Sequence, residues 1–340
     1  MSRLKILIVR LGALGDLVHA LPAVGALRAA WPGARIDWLV DGRYAALLEL
    51  VPVIDRTIVI GGREGRSVLA AIRALRREQY DLAIDFQGLL KSAALSRAAG
   101  ARATAGFIAR QLREPAASLF YTRRIRGDDS GHVVRKNLSM VEALGAAGRG
   151  AAAPLKVTAS LVPGQARELL RLDPAGRFAV INPGAGWPNK QWPADRFGQI
   201  AAHLRDRHGM PSIVTWGPRD QPLALEVTAA SGGSAALAPS TTIADLIELS
   251  RAASLFVAGD TGPMQLAAAV GTPVVGVFGP TNPVRNGPWN DADTWVSRFD
   301  DCECHHKRSC RRDMPCIDTI TVEQVADAVD RRLGGGGGRG

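Results

Sequence analysis

No stretch of the chain approaches the ~20 consecutive apolar residues that a membrane-crossing helix requires, so nothing in it spans a bilayer. Arg3 and Lys5 ahead of Ile6-Leu7-Ile8-Val9 imitate the start of a secretory leader. Arg10 and Asp16 cut that apolar run short, which predicts a cytoplasmic protein. Cysteine is scarce. The four present, Cys302, Cys304, Cys310 and Cys316, sit close together near the C-terminus, and a disulfide-stapled secreted scaffold is excluded. Aromatic residues make up only 5% of the chain, the arginines are dispersed and no RNA-recognition motif is present. That weighs against an RNA-binding protein. Charged residues are also few, 22% against 46% hydrophobic, which excludes disorder or a coiled coil as the main state.

What is present is a chain of 340 residues, too long for one ordinary core and suited to two domains. Its 42 Lys and Arg exceed its 32 Asp and Glu by ten, a balance that predicts an anionic partner: a phosphorylated ligand, a nucleic acid or an acidic membrane surface. Short apolar runs alternate with helix-length segments, the pattern of a parallel sheet covered by helices. Strands are expected at 5–9, 35–40, 56–60, 82–85 and 104–106, with helices at 24–31, 67–78 and 91–99. Around 148–163 the chain turns to Gly, Ala and Pro and reads as a linker. The pattern then restarts, with strands at 178–182, 212–216, 255–258 and 274–278 and helices at 194–208, 222–230 and 243–252. The fold class is therefore α/β, with two Rossmann-like doubly wound domains, 1–160 and 161–320, facing across a cleft. A closing helix at 321–333 and a flexible Gly-rich tail at 334–340 follow.

In open parallel sheets ligands sit beyond the carboxyl ends of the strands, so the loops there are the candidates. Arg10-Leu11-Gly12-Ala13-Leu14-Gly15-Asp16 follows the first strand. It lacks the third glycine of a dinucleotide fingerprint, which weakens a nicotinamide dehydrogenase reading. Asp16 can cap the following helix or, turned outward, act as a general base. Gly259-Asp260-Thr261-Gly262-Pro263-Met264-Gln265 lies between an apolar strand and an apolar helix, where glycines, a hydroxyl and a helix N-terminus suit a phosphate. The loop from Asn182 to Pro193 carries one cation, Lys190, able to neutralise a diphosphate.

Taken in order, Arg10–Asp16 with His19-Ala20-Leu21-Pro22, Asp85-Phe86-Gln87-Gly88-Leu89-Leu90-Lys91-Ser92, Lys190-Gln191-Trp192 and the Gly259–Leu266 segment resemble glycosyltransferase family 9, the heptosyltransferases of lipopolysaccharide core assembly. The likeness spans nearly the whole chain, and Arg113–Tyr121 is most similar to the heptosyltransferase I branch, which adds the first heptose. The resemblance implies a GT-B fold and an inverting, metal-independent and cofactor-free transfer from ADP-heptose to the Kdo of Kdo-lipid A. The place implied is the cytoplasmic face of the inner membrane, against an anionic leaflet and without nucleic acid.

By the same resemblance Asp16 matches the family's base and Lys190 its donor-phosphate lysine. Asp260, Thr261 and Gly262 match the donor loop, Ala185 and Gly186 offer backbone contacts, and Gln221 and Thr241 fall where the adenosine is held. Gln265 stands where the family has His and cannot become cationic. Arg63, Arg66, Arg113 and His132 fall where similar enzymes place cations for acceptor carboxylates; each also reads as ordinary surface charge. A heptosyltransferase II-like acceptor or another sugar remains open within the family. Cys302-Glu303-Cys304-His305-His306 with Cys310 and Cys316 could hold a structural zinc, but the C-x-C start is not finger spacing, and free thiols are the plainer reading.

Overall fold

The alternating runs become two six-stranded sheets in which every neighbouring pair is parallel. The computed structural model describes residues 3–61, 68–146, 152–305 and 307–334. The chain divides into two compact units, Met1–Lys156 and Val157–Gly340. In the first, the order is β1 (Lys5–Val9), α1 (Leu14–Ala30), β2 (Arg35–Asp41), α2 (Ala45–Leu48), β3 (Arg56–Ile60), α3 (Val68–Glu78), β4 (Leu82–Asp85), α4 (Leu90–Ala98), β5 (Ala103–Phe107), β6 (Arg123–Ile125) and α5 (Val133–Ala143). The second unit continues with α6 (Val162–Leu169), β7 (Ala179–Asn182), α7 (Ala194–His208), β8 (Ser212–Val214), α8 (Gln221–Ala230), β9 (Ala235–Leu237), α9 (Ile243–Ala252), β10 (Leu255–Gly259), α10 (Gly262–Ala269), β11 (Val274–Phe278), α11 (Pro283–Asn286), β12 (Thr294–Ser297) and α12 (Val322–Gly334).

The sheet orders are β3-β2-β1-β4-β5-β6 and β12-β11-β10-β7-β8-β9. Counted from each unit's own first strand the two are the same doubly wound order, reversing direction between β1 and β4 in one unit and between β7 and β10 in the other. Those reversals are where two adjacent loops part and leave room for a ligand. The central strands are buried on both faces, Ile6 to Val9 being fully covered, which is why they read as unbroken apolar runs. In the second unit Trp192, Phe197, Ile200 and Leu204 pack with Val257, Val277, Ile320 and Val329.

β1, β3, β4, β11, α7 and α9 occupy the predicted ranges. The largest departure is α1, which begins at Leu14 and runs through Pro22 rather than starting at Val24. Proline removes one backbone hydrogen bond; the burial of ten of the 17 residues of α1 outweighs that loss. The expected linker is partly helical, since α6 starts at Val162. β6, β9 and β12 were not anticipated: each is only three or four residues long and lies at or next to a sheet edge. The predicted acceptor residues Arg63 and Arg66, together with Ser67 and His306, lie outside the described residues, as does the tail beyond Gly334.

Candidate functional site

In the first unit the loops after β1 and β4 flank the sheet reversal. Arg10 leaves β1 and is held from both sides. Its Nη1 donates to Phe86 O at 2.6 Å, and its own carbonyl accepts from Trp38 Nε1 at 3.0 Å. The next residue, Leu11, donates its N–H to Gln87 Oε1 at 2.9 Å. Arg10 Nη2 meets Asp16 Oδ1 at 2.8 Å.

Asp16 is not the cap of α1. The cap position is Ala13, which has no side-chain acceptor, and Asp16 stands three residues later. From there its Oδ2 accepts the Ala13 N–H at 3.2 Å, so it does serve the helix end while keeping a carboxylate side chain 45% exposed. Partial desolvation pushes the Asp16 carboxyl up. The Arg10 charge, then His19, and the Ala13 N–H outweigh it and hold the group below its ordinary value. The result is an ionised, oriented carboxylate with lone pairs to spare.

The second loop is built on Asp85, fully buried at the end of β4. Its Oδ1 accepts the N–H groups of Gln87 (2.8 Å) and Gly88 (3.1 Å); its Oδ2 accepts Ser92 Oγ (2.8 Å) and Tyr121 Oη (2.7 Å). Burial pushes the Asp85 carboxyl up, and these four donors pull it back only in part. Gly88 adopts φ +69°, a left-handed conformation that glycine takes without strain. Asp85 thereby fixes Gln87, and Gln87 fixes the loop that carries Arg10.

In the second unit the loops after β7 and β10 flank the corresponding reversal. Lys190 ends a 3₁₀ turn, Pro188–Lys190, with its Nζ 2.6 Å from Asp260 Oδ2 and 4.7 Å from the centre of the Trp187 ring. Lys190 and Asp260 are 15% and 14% exposed. Gly259 makes the approach feasible, since a Cβ there would stand 3.1 Å from Lys190 O. Thr261 caps α10, its hydroxyl accepting the Met264 N–H at 3.3 Å. Pro263 has no N–H, so Thr261 and Gly262 carry the backbone donors that the loop does not spend on itself, at the positive end of the helix dipole. An ammonium has three donors, so Lys190 can keep Asp260 and still meet phosphate oxygens.

The other predicted residues are placed as follows. Gly186 is exposed and Ala185 half-buried on the Lys190 loop, Gln221 is exposed at the first turn of α8, and Thr241 is half-exposed just ahead of Thr242, the cap of α9. Gln265 is turned inward at 1% exposure: its Nε2 donates to Asn286 O at 2.6 Å and its Oε1 accepts from Trp289 Nε1 at 3.3 Å. Its amide is thereby committed to Asn286 and Trp289 and is not presented at the 259–262 loop. Arg113 is exposed and forms no hydrogen bond or ion pair among the described residues. The ring of His132 sits edge-on to His19 at 5.3 Å, and its Nδ1 accepts the Val134 N–H at 3.2 Å as the cap of α5.

Sequence reasoning did not single out Trp187, Asn189, Gln87 or Asp220. The carboxylate of Asp220 occupies space left by Gly184 and Gly217, where a Cβ would lie 2.6 and 2.9 Å away. A polar residue one or two places beyond an apolar strand was the signal available for Gln87; the others depend on contacts far apart in sequence.

Residues 68–316 match the sequence profile of glycosyltransferase family 9 (heptosyltransferase). The chain is 29% identical to lipopolysaccharide heptosyltransferase 1 of Pseudomonas aeruginosa, over 97% of this chain and 98% of that one. Among solved structures it resembles the E. coli heptosyltransferase WaaC with ADP, with TM-score 0.73 and 25% identity over 97% of this chain and 98% of that chain. The same enzyme with ADP-2-deoxy-2-fluoro heptose gives TM-score 0.72 and 25% identity over 96% and 99%.

Proposed function

The chain belongs to glycosyltransferase family 9, and from that premise we propose that it moves heptose from ADP-heptose to the Kdo of Kdo-lipid A in lipopolysaccharide inner-core synthesis, with inversion at the anomeric carbon. In the GT-B architecture each of the two Rossmann-like domains carries a cluster of polar groups at its own sheet reversal. The observation that carries the reading is the chemistry of those two clusters: an ionised carboxylate held by Arg10 in the first unit, and in the second a lysine beside a helix N-terminus.

In this reading Asp16 takes the proton from the acceptor hydroxyl as that oxygen attacks the anomeric carbon. Lys190 and the N–H groups of Thr261 and Gly262 stabilise the charge that develops on the departing ADP, with no metal needed for the step. Ala185, Gly186, Gln221 and Thr241 serve the donor. Arg113, Arg63, Arg66 and His132 serve the acceptor carboxylates, arginine being suited to them by its two-pronged geometry. The basic surface brings the enzyme to the anionic cytoplasmic leaflet where the acceptor lies.

The test is incubation of the pure protein with ADP-heptose and Kdo-lipid A. A mass gain of one heptose is expected, and its absence beside a working control enzyme overturns the proposal. Supplying an already heptosylated acceptor in competition separates the first transfer from a later one. A single charge-assisted hydrogen bond contributes ~1.5–3 kcal/mol, so Lys190→Ala is expected to lower kcat/KM for the donor by roughly ten- to 150-fold. Titration of ADP checks this directly: affinity that survives the change removes Lys190 from the phosphates.

A further inference from the structure

The cysteines take no part in the reaction above, yet all four come together. Cys302, Cys304 and Cys316 are buried, with their Sγ atoms within 4.8 Å of one another and the first pair at 3.2 Å. Cys310, half-buried, packs against the same group. None is in a disulfide. A tetrahedral ion with metal–sulfur bonds of about 2.3 Å has sulfur–sulfur edges of about 3.8 Å, so three of these sulfurs already approximate one face of such a site.

The chain around them needs a clamp. Positions 298–315, between β12 and the turn Cys316–Thr319, contain no helix or strand among the described residues. Loops beyond about 12–15 residues without structure of their own are uncommon in compact domains. Glu303, Lys307, Arg308, Arg311, Arg312 and Met314 are exposed, leaving the thiols as the segment's main interior. His305 is committed elsewhere: its Nε2 lies 2.7 Å from Phe299 O and its ring stacks on Phe299 at 4.2 Å. Asn189, next to Lys190, donates Nδ2 to Lys307 O at 3.0 Å and lies 3.5 Å from Cys304 Sγ. An amide N–H so placed can donate to the sulfur of a metal-bound thiolate.

We infer that Cys302, Cys304, Cys310 and Cys316 hold one tetrahedral thiolate-bound metal ion, zinc or iron, which clamps the 298–315 loop behind the turn that carries Lys190. The site is structural and does not depend on which sugar or acceptor is used.

The full-length protein, purified under reducing conditions without chelator, is expected to contain one metal ion per chain, elemental analysis telling zinc from iron. Its thiols are expected to react slowly with a disulfide reagent until a strong chelator strips the ion, and quickly afterwards. Cys310→Ser alters the least buried of the four and is expected to weaken retention of the ion against a chromophoric chelator roughly tenfold or more. Should that variant fail to fold, cobalt substitution in the wild-type protein decides: intense sulfur-to-cobalt bands with a tetrahedral spectrum support the site. A protein purified without metal whose reduced form takes up neither Zn²⁺ nor Fe²⁺ overturns the inference. So do retention unchanged in Cys310→Ser and a cobalt spectrum without sulfur ligation.

Discussion

Asp16→Asn is expected to lower kcat by roughly 10²- to 10⁴-fold, the usual contribution of a general base, while ADP affinity stays as it was. The substitution is nearly isosteric. An amide oxygen can still accept the Ala13 N–H, now bonded to Asp16 Oδ2 at 3.2 Å, so the start of α1 should persist. What is lost is the ability to take a proton. Arg10 supplies an independent check. The Asp16 carboxyl lies below its ordinary value because Arg10 and the other partners overcome its desolvation. A lowered value means the group stays ionised, and active, until the pH falls through that lowered value. Arg10→Gln removes the guanidinium and leaves the desolvation, so the acid limb of the kcat/KM–pH profile should move to higher pH. A limb that does not move would separate the measured ionisation from Asp16. Turnover undiminished in Asp16→Asn would remove Asp16 as the base altogether.

How much of this was legible in sequence depended on distance along the chain. Ile6–Val9 of β1, Leu82–Ile84 of β4 and Val274–Phe278 of β11 are buried on both faces, so those runs carry no polar side chain and stand out in the sequence. α1 hid its first turns because it is buried nearly all round and contains Pro22, leaving neither an amphipathic stripe nor a clean start. The segments carrying Asp16, Lys190 and Asp260 could be found because a polar, glycine-containing stretch after an apolar strand is a local signal. Their internal wiring could not. Lys190 meets a carboxylate 70 residues away, Leu11 meets Gln87 from 76 residues away, and Asn189 reaches Lys307 across 118. Gln265 shows the same limit: its position in the motif suggested the ligand, whereas Asn286 and Trp289 draw its amide inward.

Asp85→Ala is expected to cost about 3–5 kcal/mol of stability, read as a fall in the urea midpoint, because it strands buried donors that no water can reach. The four groups are not equivalent. Ser92 Oγ also lies 2.9 Å from Leu89 O, so its hydroxyl has a second acceptor to turn to. Among the described residues Tyr121 Oη donates to Asp85 alone, and its ring lies against β5 where Gly106 leaves room, a Cβ there falling 2.2 Å from the ring. The N–H groups of Gln87 and Gly88 are fixed by the turn. Asp85→Asn should therefore be milder than the alanine change: its oxygen can serve Gln87 and Gly88, and its amide can donate to Ser92, which leaves Tyr121 as the stranded donor. Adding Tyr121→Phe to Asp85→Asn removes that donor, so the double variant should be more stable than the sum of the two single losses by about 1–2 kcal/mol. Strict additivity in the double-mutant cycle would mean that the hydroxyl finds another partner and that Asp85 is not the hub. The same series tests the link to the reaction, since Asp85 fixes Gln87 and Gln87 accepts the Leu11 N–H beside Arg10. The folded Asp85→Asn protein should show a reduced kcat with donor affinity preserved, because the misplacement falls on the Arg10–Asp16 pair and not on the loop that holds Lys190.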